Sequence, residues 1–362
     1  MATQEVLRNR KFRHTRFRLI LLALCIMLLL SVTLGISLGP VSISGDVVWS
    51  IAAYKLGLIM RGNWSQGTEN IVWLIRFPRV LLALVVGGGL AVVGVTLQAL
   101  VRNPLADPYI LGISSGASVG AVLVIGLGVF AVYGSMAVSV AAFFGAVLAF
   151  VIVYLLANHG GRITPGSLVL AGIGVGYFFT GITTFITMTS NKRQLAGQVL
   201  AWTLGSLARA TWFDLSLPTW TLLIITTYLL FQSRSLNALI VGDETALTLG
   251  INVDKFRRHI FTLVALLTGV MVAVSGSIGF IGLMVPHMVR LVVGSDHRKV
   301  LPISVFVGSI FLIWADVIAR GYHTPIDAPI ELPVGVVTAL LGGPFFLWLM
   351  WSTRLKRKIG NL

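Results

Sequence analysis

Arg76 and Arg79 stand on either side of Phe77 and Pro78 at the head of a long apolar run, RFPRVLLALVVGGGLAVVGVTLQALVRNPLADP, which closes on Asn103 and Pro104. Guanidinium groups in that position can hold a carboxylate or phosphate in paired hydrogen bonds, or they can snorkel to lipid headgroups. His287 and Arg290 interrupt a second apolar stretch, GFIGLMVPHMVRLVV, and Asp316 lies near the end of another. Ionisable groups inside apolar spans usually mark proton relays or ion paths. Here they are scarce. The chain shows no HExxH, no aspartate pair at helical spacing, no serine–lysine or serine–histidine arrangement in an apolar run, and no GxxxxGK[ST] loop. An intramembrane protease, a metalloenzyme and a proton- or sodium-driven carrier are therefore poorly supported. Any energy source must lie outside this chain.

The elements that position these residues follow from composition. Of 362 residues, 56% are hydrophobic and 11% charged, against about 25% charged in a soluble domain. A span needs about 20 apolar residues, so the chain holds about ten. The expected spans are 17–38, 79–101, 109–127, 135–156, 166–188, 215–232, 259–278, 279–294, 301–320 and 332–351, the eighth being broken by Pro286, His287 and Arg290. Ten-residue alternation of the β-barrel kind is absent. The fold class is all-α, a polytopic membrane protein organised as one transmembrane domain over 1–362 with a basic tail at 1–16. The run from Phe17 to Leu38 is long and lacks a clear small-residue cleavage site, so it reads as a retained span. The single cysteine, Cys25, leaves no disulfide framework.

With both termini inside, the outer segments keep Lys55, Arg61, Arg76, Arg79, Lys192, Arg193, Arg209 and Arg320, and the other basic residues fall in the cytoplasm or at its edge. The positive-inside rule favours that orientation. It also explains the formal charge of +15 without nucleic acid. Gly112, Gly116 and Gly120 repeat at four-residue spacing, as do Gly172 and Gly176. Faces of this kind let membrane helices pack closely.

The cytoplasmic segment 233–258, SRSLNALIVGDETALTLGINVDKFRR, forms two short amphipathic stretches broken by Gly242 and Gly250. Its apolar face is expected to be covered by a partner, since exposed apolar patches mark interaction sites. A helix lying on the membrane surface is the other reading.

These residues, with LVLAGIGVG from Leu168, LNALIVGDETALTLGI from Leu236, GSIGFIGLMVPHMVRLVVGSDHRKVLP from Gly276, ADVIAR from Ala315 and ELPVGVVTALLGGPFFLWL from Glu331, carry a resemblance. The chain resembles the permease subunit of the type II ABC importers that take up ferric siderophores, haem and cobalamin. The likeness runs from Arg76 to near the C-terminus; the N-terminal tail matches in kind only.

The resemblance implies a type II importer permease fold with ten helices, working in the bacterial cytoplasmic (inner) membrane with a second permease copy or a related permease. It implies a cytoplasmic ABC ATPase dimer docked on the loop that carries Leu236, Ala238, Gly242, Asp243, Glu244, Ala246, Leu249 and Gly250. An extracytoplasmic substrate-binding protein would dock through carboxylates on Arg76, Arg79 and Arg320, which would face outward. Reversing Arg76 and Arg79 to glutamate should then weaken docking without unfolding the chain. A cytoplasmic gate falls at Asn103 and Leu105, and a second at Thr164 and Ser167, where TPGS departs from a hydroxyl-rich pattern. No metal site, cofactor or catalytic residue is implied, and ATP hydrolysis belongs to the separate ATPases. The stretch GYHTPIDAPI, with Asp327, is an insertion beside the docking arginines. Trp49, Trp64 and Trp73 in the first outer loop read as interfacial anchors. The expected cargo is an iron chelate, a ferric siderophore first, with haem and cobalamin as alternatives and a membrane enzyme using His287 as a more distant one.

Overall fold

In hydrocarbon a chain must close its backbone hydrogen bonds internally, and a helix does so within one segment. The computed structural model describes residues 2–160, 162–190, 192, 194–321 and 331–359. Asp327 and the rest of 322–330 lie outside the described residues. Within them, seven helices are long and apolar enough to cross a bilayer: α1 (Ala2–Ser37), α4 (Phe77–Val101), α6 (Ala137–Ala157), α7 (Pro165–Thr189), α9 (Phe213–Phe231), α12 (Val253–Ser275) and α14 (His297–Gly321). Three shorter apolar stretches, α5 (Ile113–Leu127), α13 (Ile281–Val293) and the Val334–Leu349 part of α15 (Val334–Ile359), fall on the other three expected spans. Short helices fill the loops: α2 (Gly45–Lys55), α3 (Gln66–Asn70), α8 (Leu195–Thr203), α10 (Ser233–Val241) and α11 (Asp243–Thr248). Among the described residues, extended pairing is confined to β1 (Asn158–His159) and β2 (Arg162–Ile163), joined antiparallel. The all-α expectation holds.

The core is built around α4, which packs on α9, α12, α13 and α14 and is buried along nearly its whole length. Glycine makes this possible. A methyl group on Gly87 would run into the Gly308 backbone of α14, and one on Gly116 of α5 would run into the Gly145 carbonyl of α6. Without a hydrophobic drive between helices in lipid, such close backbone approach is what holds them together. By contrast α1, α7 and α9 leave most of their apolar surface exposed.

Two expectations need correction. The second span is expected from residue 79, but helix runs unbroken from Gln66 through a π-helical stretch, Ile71–Arg76, into α4. Ser65 starts it by accepting from the Thr68 N–H at 3.0 Å. Aromatic packing holds the extension: Trp73 lies 4.6 Å from Trp212 and 5.6 Å from Phe77, between ring centroids, and the Trp212 indole donates to the Trp73 carbonyl. Trp49 also packs edge-on against Phe77, so Trp49 and Trp73 join one aromatic cluster.

The eighth span, placed at 279–294, has only 13 helical residues in α13. That is about 20 Å of helix, too short for about 30 Å of hydrocarbon. An irregular segment from Gly276 to Phe280 precedes it, pinned where Ser206 N–H donates to the Ser275 carbonyl at 2.8 Å. Arg290 on α13 donates to the Gln98 side chain of α4, so its charge faces protein and not lipid.

Candidate functional site

The residues of interest gather at the two ends of α4, about 38 Å apart by helix rise. At its C-terminal end, α10 buries Leu236, Ala238 and Leu239 against the bundle, and α11 buries Ala246. The opposite face is left open: Val241 is 72%, Leu247 59% and Leu249 66% exposed, with Glu244 and Gly250 exposed beside them. Leu236, Ala238 and Ala246 are thus the anchor of this loop, and Val241, Leu247 and Leu249 its outward apolar face. Asn237 fixes α10 from the side, donating to Asp296 at 2.9 Å and accepting from the His297 N–H at 3.0 Å.

Asp243, the first residue of α11, gathers two cations. Its carboxylate accepts from Arg257 Nη2 at 2.9 Å and contacts the Arg102 guanidinium. Arg257 is almost wholly buried, and its Nη1 also donates to the Ile163 carbonyl of β2 at 2.9 Å. Arg102 ends α4 in the left-handed region, at φ 53°, a conformation few side chains adopt. These contacts join the α10–α11 loop directly to the end of α4, and to the β1–β2 hairpin through Arg257 of α12.

Both expected gate segments sit beside that junction. Asn103 accepts from the Leu105 N–H at 2.9 Å, an Asx turn that leaves Leu105 projecting into the open. Thr164 caps α7, and with Ser167 it forms a reciprocal capping box. Ser167 Oγ also donates to the Ala157 carbonyl at 3.0 Å. Both hydroxyls therefore already serve helix structure. Just beyond the first segment, Asp107 is buried; loss of hydration pushes its carboxyl up to about 6, against the lowering effect of the Tyr109 N–H that it accepts at 2.9 Å.

At the N-terminal end of α4 the three expected docking arginines do come together, but they do not face outward. Arg76 and Arg79 are each 5% exposed and Arg320 8%. Arg76 donates to the carbonyls of Ile36, Ser37 and Val41, which close the end of α1. Arg79 grips Asp316 at 3.0 Å and Glu331 at 2.8 Å. Arg320 reaches the same Asp316 at 3.1 Å and the Gly35 carbonyl at 2.9 Å. A buried carboxylate next to two arginines satisfies the need to pair charges out of water. The half-exposed member of the group is Glu331.

Arg257 and Asp316 were missed as partners in the sequence. A usable signal existed for Arg257, since Val253, Arg257, Ile260 and Val264 share one helical stripe and only the arginine is polar. His287 lies near the Phe345 ring, and its Nε2 has no hydrogen-bond partner among the described residues.

The FecCD transport family matches residues 26–352. The chain is similar to the hemin transport system permease protein HmuU of Yersinia pestis, 42% identical over 83% of this chain and 90% of the relative. It is also similar to the cobalamin import system permease protein BtuC of Halobacterium salinarum, 38% identical over 88% and 84%. The Fe(3+) dicitrate transport system permease protein FecD of Escherichia coli is 37% identical over 81% and 89%. Among solved structures, an inward-facing conformation in a transporter assigned to the metal-chelate type of ABC transporters superposes with TM-score 0.78, at 28% identity and over 92% of this chain and 99% of that one. With a bundle of apolar helices around α4 and relatives that are importer permeases, the chain belongs to the FecCD transport family.

Proposed function

We propose that the chain is the permease subunit of an ATP-driven importer and forms, with a second permease copy or a related one, the path of an iron chelate across the cytoplasmic membrane of a bacterium. The observation that carries this reading is the α10–α11 loop: an anchored inner face, an open apolar outer face of Val241, Leu247 and Leu249, and an ionic tie through Asp243 to both neighbouring loops. An ATPase pair seated on that face would move the loop after α4 and the β1–β2 hairpin together, a rigid-body switch of the alternating-access kind. Both termini and this loop then lie in the cytoplasm, as the distribution of basic residues favours. Gating falls to Asn103 and Leu105, and to the Thr164–Ser167 turn.

The delivery protein docks at the opposite end, over the Arg76, Arg79 and Arg320 cluster. Because these arginines are internally paired, its carboxylates would have to compete with half-exposed Glu331 for Arg79. A ferric siderophore leads as cargo. Haem and cobalamin remain the alternatives, since relatives named for hemin and for cobalamin match almost equally well. A chelate arrives already wrapped, so it needs no metal ligands from the path. Deleting the gene in its host and measuring uptake of a labelled ferric siderophore, haem and cobalamin tests the reading. Loss of uptake of one of them supports it; unchanged uptake of all three contradicts it.

A further inference from the structure

We propose that the cleft between α1 and the α13–α14 junction holds the headgroup of one anionic phospholipid. The cleft has a volume of about 450 Å³. It opens at the level where the membrane part of α1 begins, at Thr15, and where α13 ends and α14 starts. That is the depth of lipid headgroups, whichever way the chain crosses the bilayer.

Arg16 enters the cleft from α1 and Lys299 from α14. Neither forms a close ion pair among the described residues, while Lys299 acts on the Asp296 carboxylate at longer range. One carboxylate, Asp296, also lines the cleft. It is turned toward the protein, accepting from Asn237 Nδ2 at 2.9 Å and from the Arg298 N–H at 3.1 Å. The cleft thus presents two cations against one carboxylate, which the protein holds through its Oδ1.

One wall of the cleft is apolar, where Phe17, Ile20 and Val293 are half-buried, and Ser295 and Asp296 line it on the polar side. Leu291 and Val292 are exposed beside the apolar wall. Two cations beside an apolar wall match a molecule with a negative head and two acyl tails. Basic pockets between spanning helices take anionic lipid heads in this way. A free phosphate would gain nothing from the apolar wall.

The test is native mass spectrometry of the purified chain in detergent micelles doped with phosphatidylglycerol or phosphatidylcholine. The wild type should retain one phosphatidylglycerol and no phosphatidylcholine, and the Arg16→Gln/Lys299→Gln pair should cut that retention at least fivefold. Arg16→Lys/Lys299→Arg should keep it, which separates lost charge from lost folding. Millimolar inorganic phosphate should not displace the lipid. Equal retention of both lipids, retention unaffected by the glutamine pair, loss in the charge-conserving pair, or displacement by phosphate would each overturn the proposal.

Discussion

Arg257 donates one guanidinium nitrogen to Asp243 on α11 at 2.9 Å and another to the Ile163 carbonyl at 2.9 Å, so a single buried side chain spans the cytoplasmic loop and the hairpin that precedes α7. Arg102 reaches the same carboxylate from the end of α4. Displacing Asp243 must therefore disturb both neighbouring loops, because the two cations would lose a shared anion in a partly buried setting.

Asp243→Asn should consequently uncouple the machine. The amide keeps the shape and one acceptor but removes the charge, so the chain still folds, with a stability loss on the order of 1–2 kcal/mol because Asp243 is itself partly solvated. In proteoliposomes with the partner ATPases, transport per ATP hydrolysed should fall about tenfold while ATPase capture persists. Unchanged transport per ATP would remove Asp243 from the mechanism.

Leu247→Asp combined with Leu249→Asp should abolish ATPase capture and leave the permease stable. Both side chains are more than half exposed, and surface changes away from packed features usually stay within about 0.5 kcal/mol. A pull-down and a melting curve on the same preparation check both halves. Intact capture would show that this face is not the docking surface.

Gly87→Val should be poorly tolerated. The added carbons would meet the α14 backbone at Gly308, and overpacking of this kind costs about 1–3 kcal/mol or more. Melting temperature and folded yield in detergent report it; a wild-type melting curve would refute the tight α4–α14 contact.

Asp107 gives a pH signature. Its carboxyl is raised to about 6 by burial, so the folded state favours the protonated form. The sign follows: stability is highest below the unfolded value near 3.8 and falls as pH rises through about 6. With about 1.4 kcal/mol per unit, the loss is on the order of 3 kcal/mol. Asp107→Asn should lack this slope, so melting temperatures of the two proteins compared from pH 4 to 7 should diverge as pH rises. A constant difference would contradict it.

Much of this architecture is legible in the chain itself. Ten apolar runs, the small-residue faces and the Gly242 break appear as composition and spacing, because in lipid the local hydrogen-bond rule leaves little choice but helix. The contacts of charged groups were harder to see. Arg79 and Asp316 are 237 positions apart and meet only after α14 has packed on α4. Read as a surface residue, Arg79 invites reversal to glutamate with no loss of folding; placed beside Asp316 and Glu331, Arg79→Glu should destabilise the end of the bundle strongly, so Glu331→Gln is the gentler probe of docking. The helical extension before α4 was hidden for a similar reason. It is held by Trp212, which packs tilted against Trp73 and donates to its carbonyl, a contact with no local trace.

The most direct test of the importer reading is mass spectrometry of whatever co-purifies with the tagged chain in mild detergent from its native host. A P-loop ATPase in stoichiometric amount, together with a substrate-binding protein, is the expected result, and the ligand of that binding protein would name the cargo. Recovery of the chain with no ATPase, under several gentle conditions that keep it folded, would contradict the role given to the α10–α11 face.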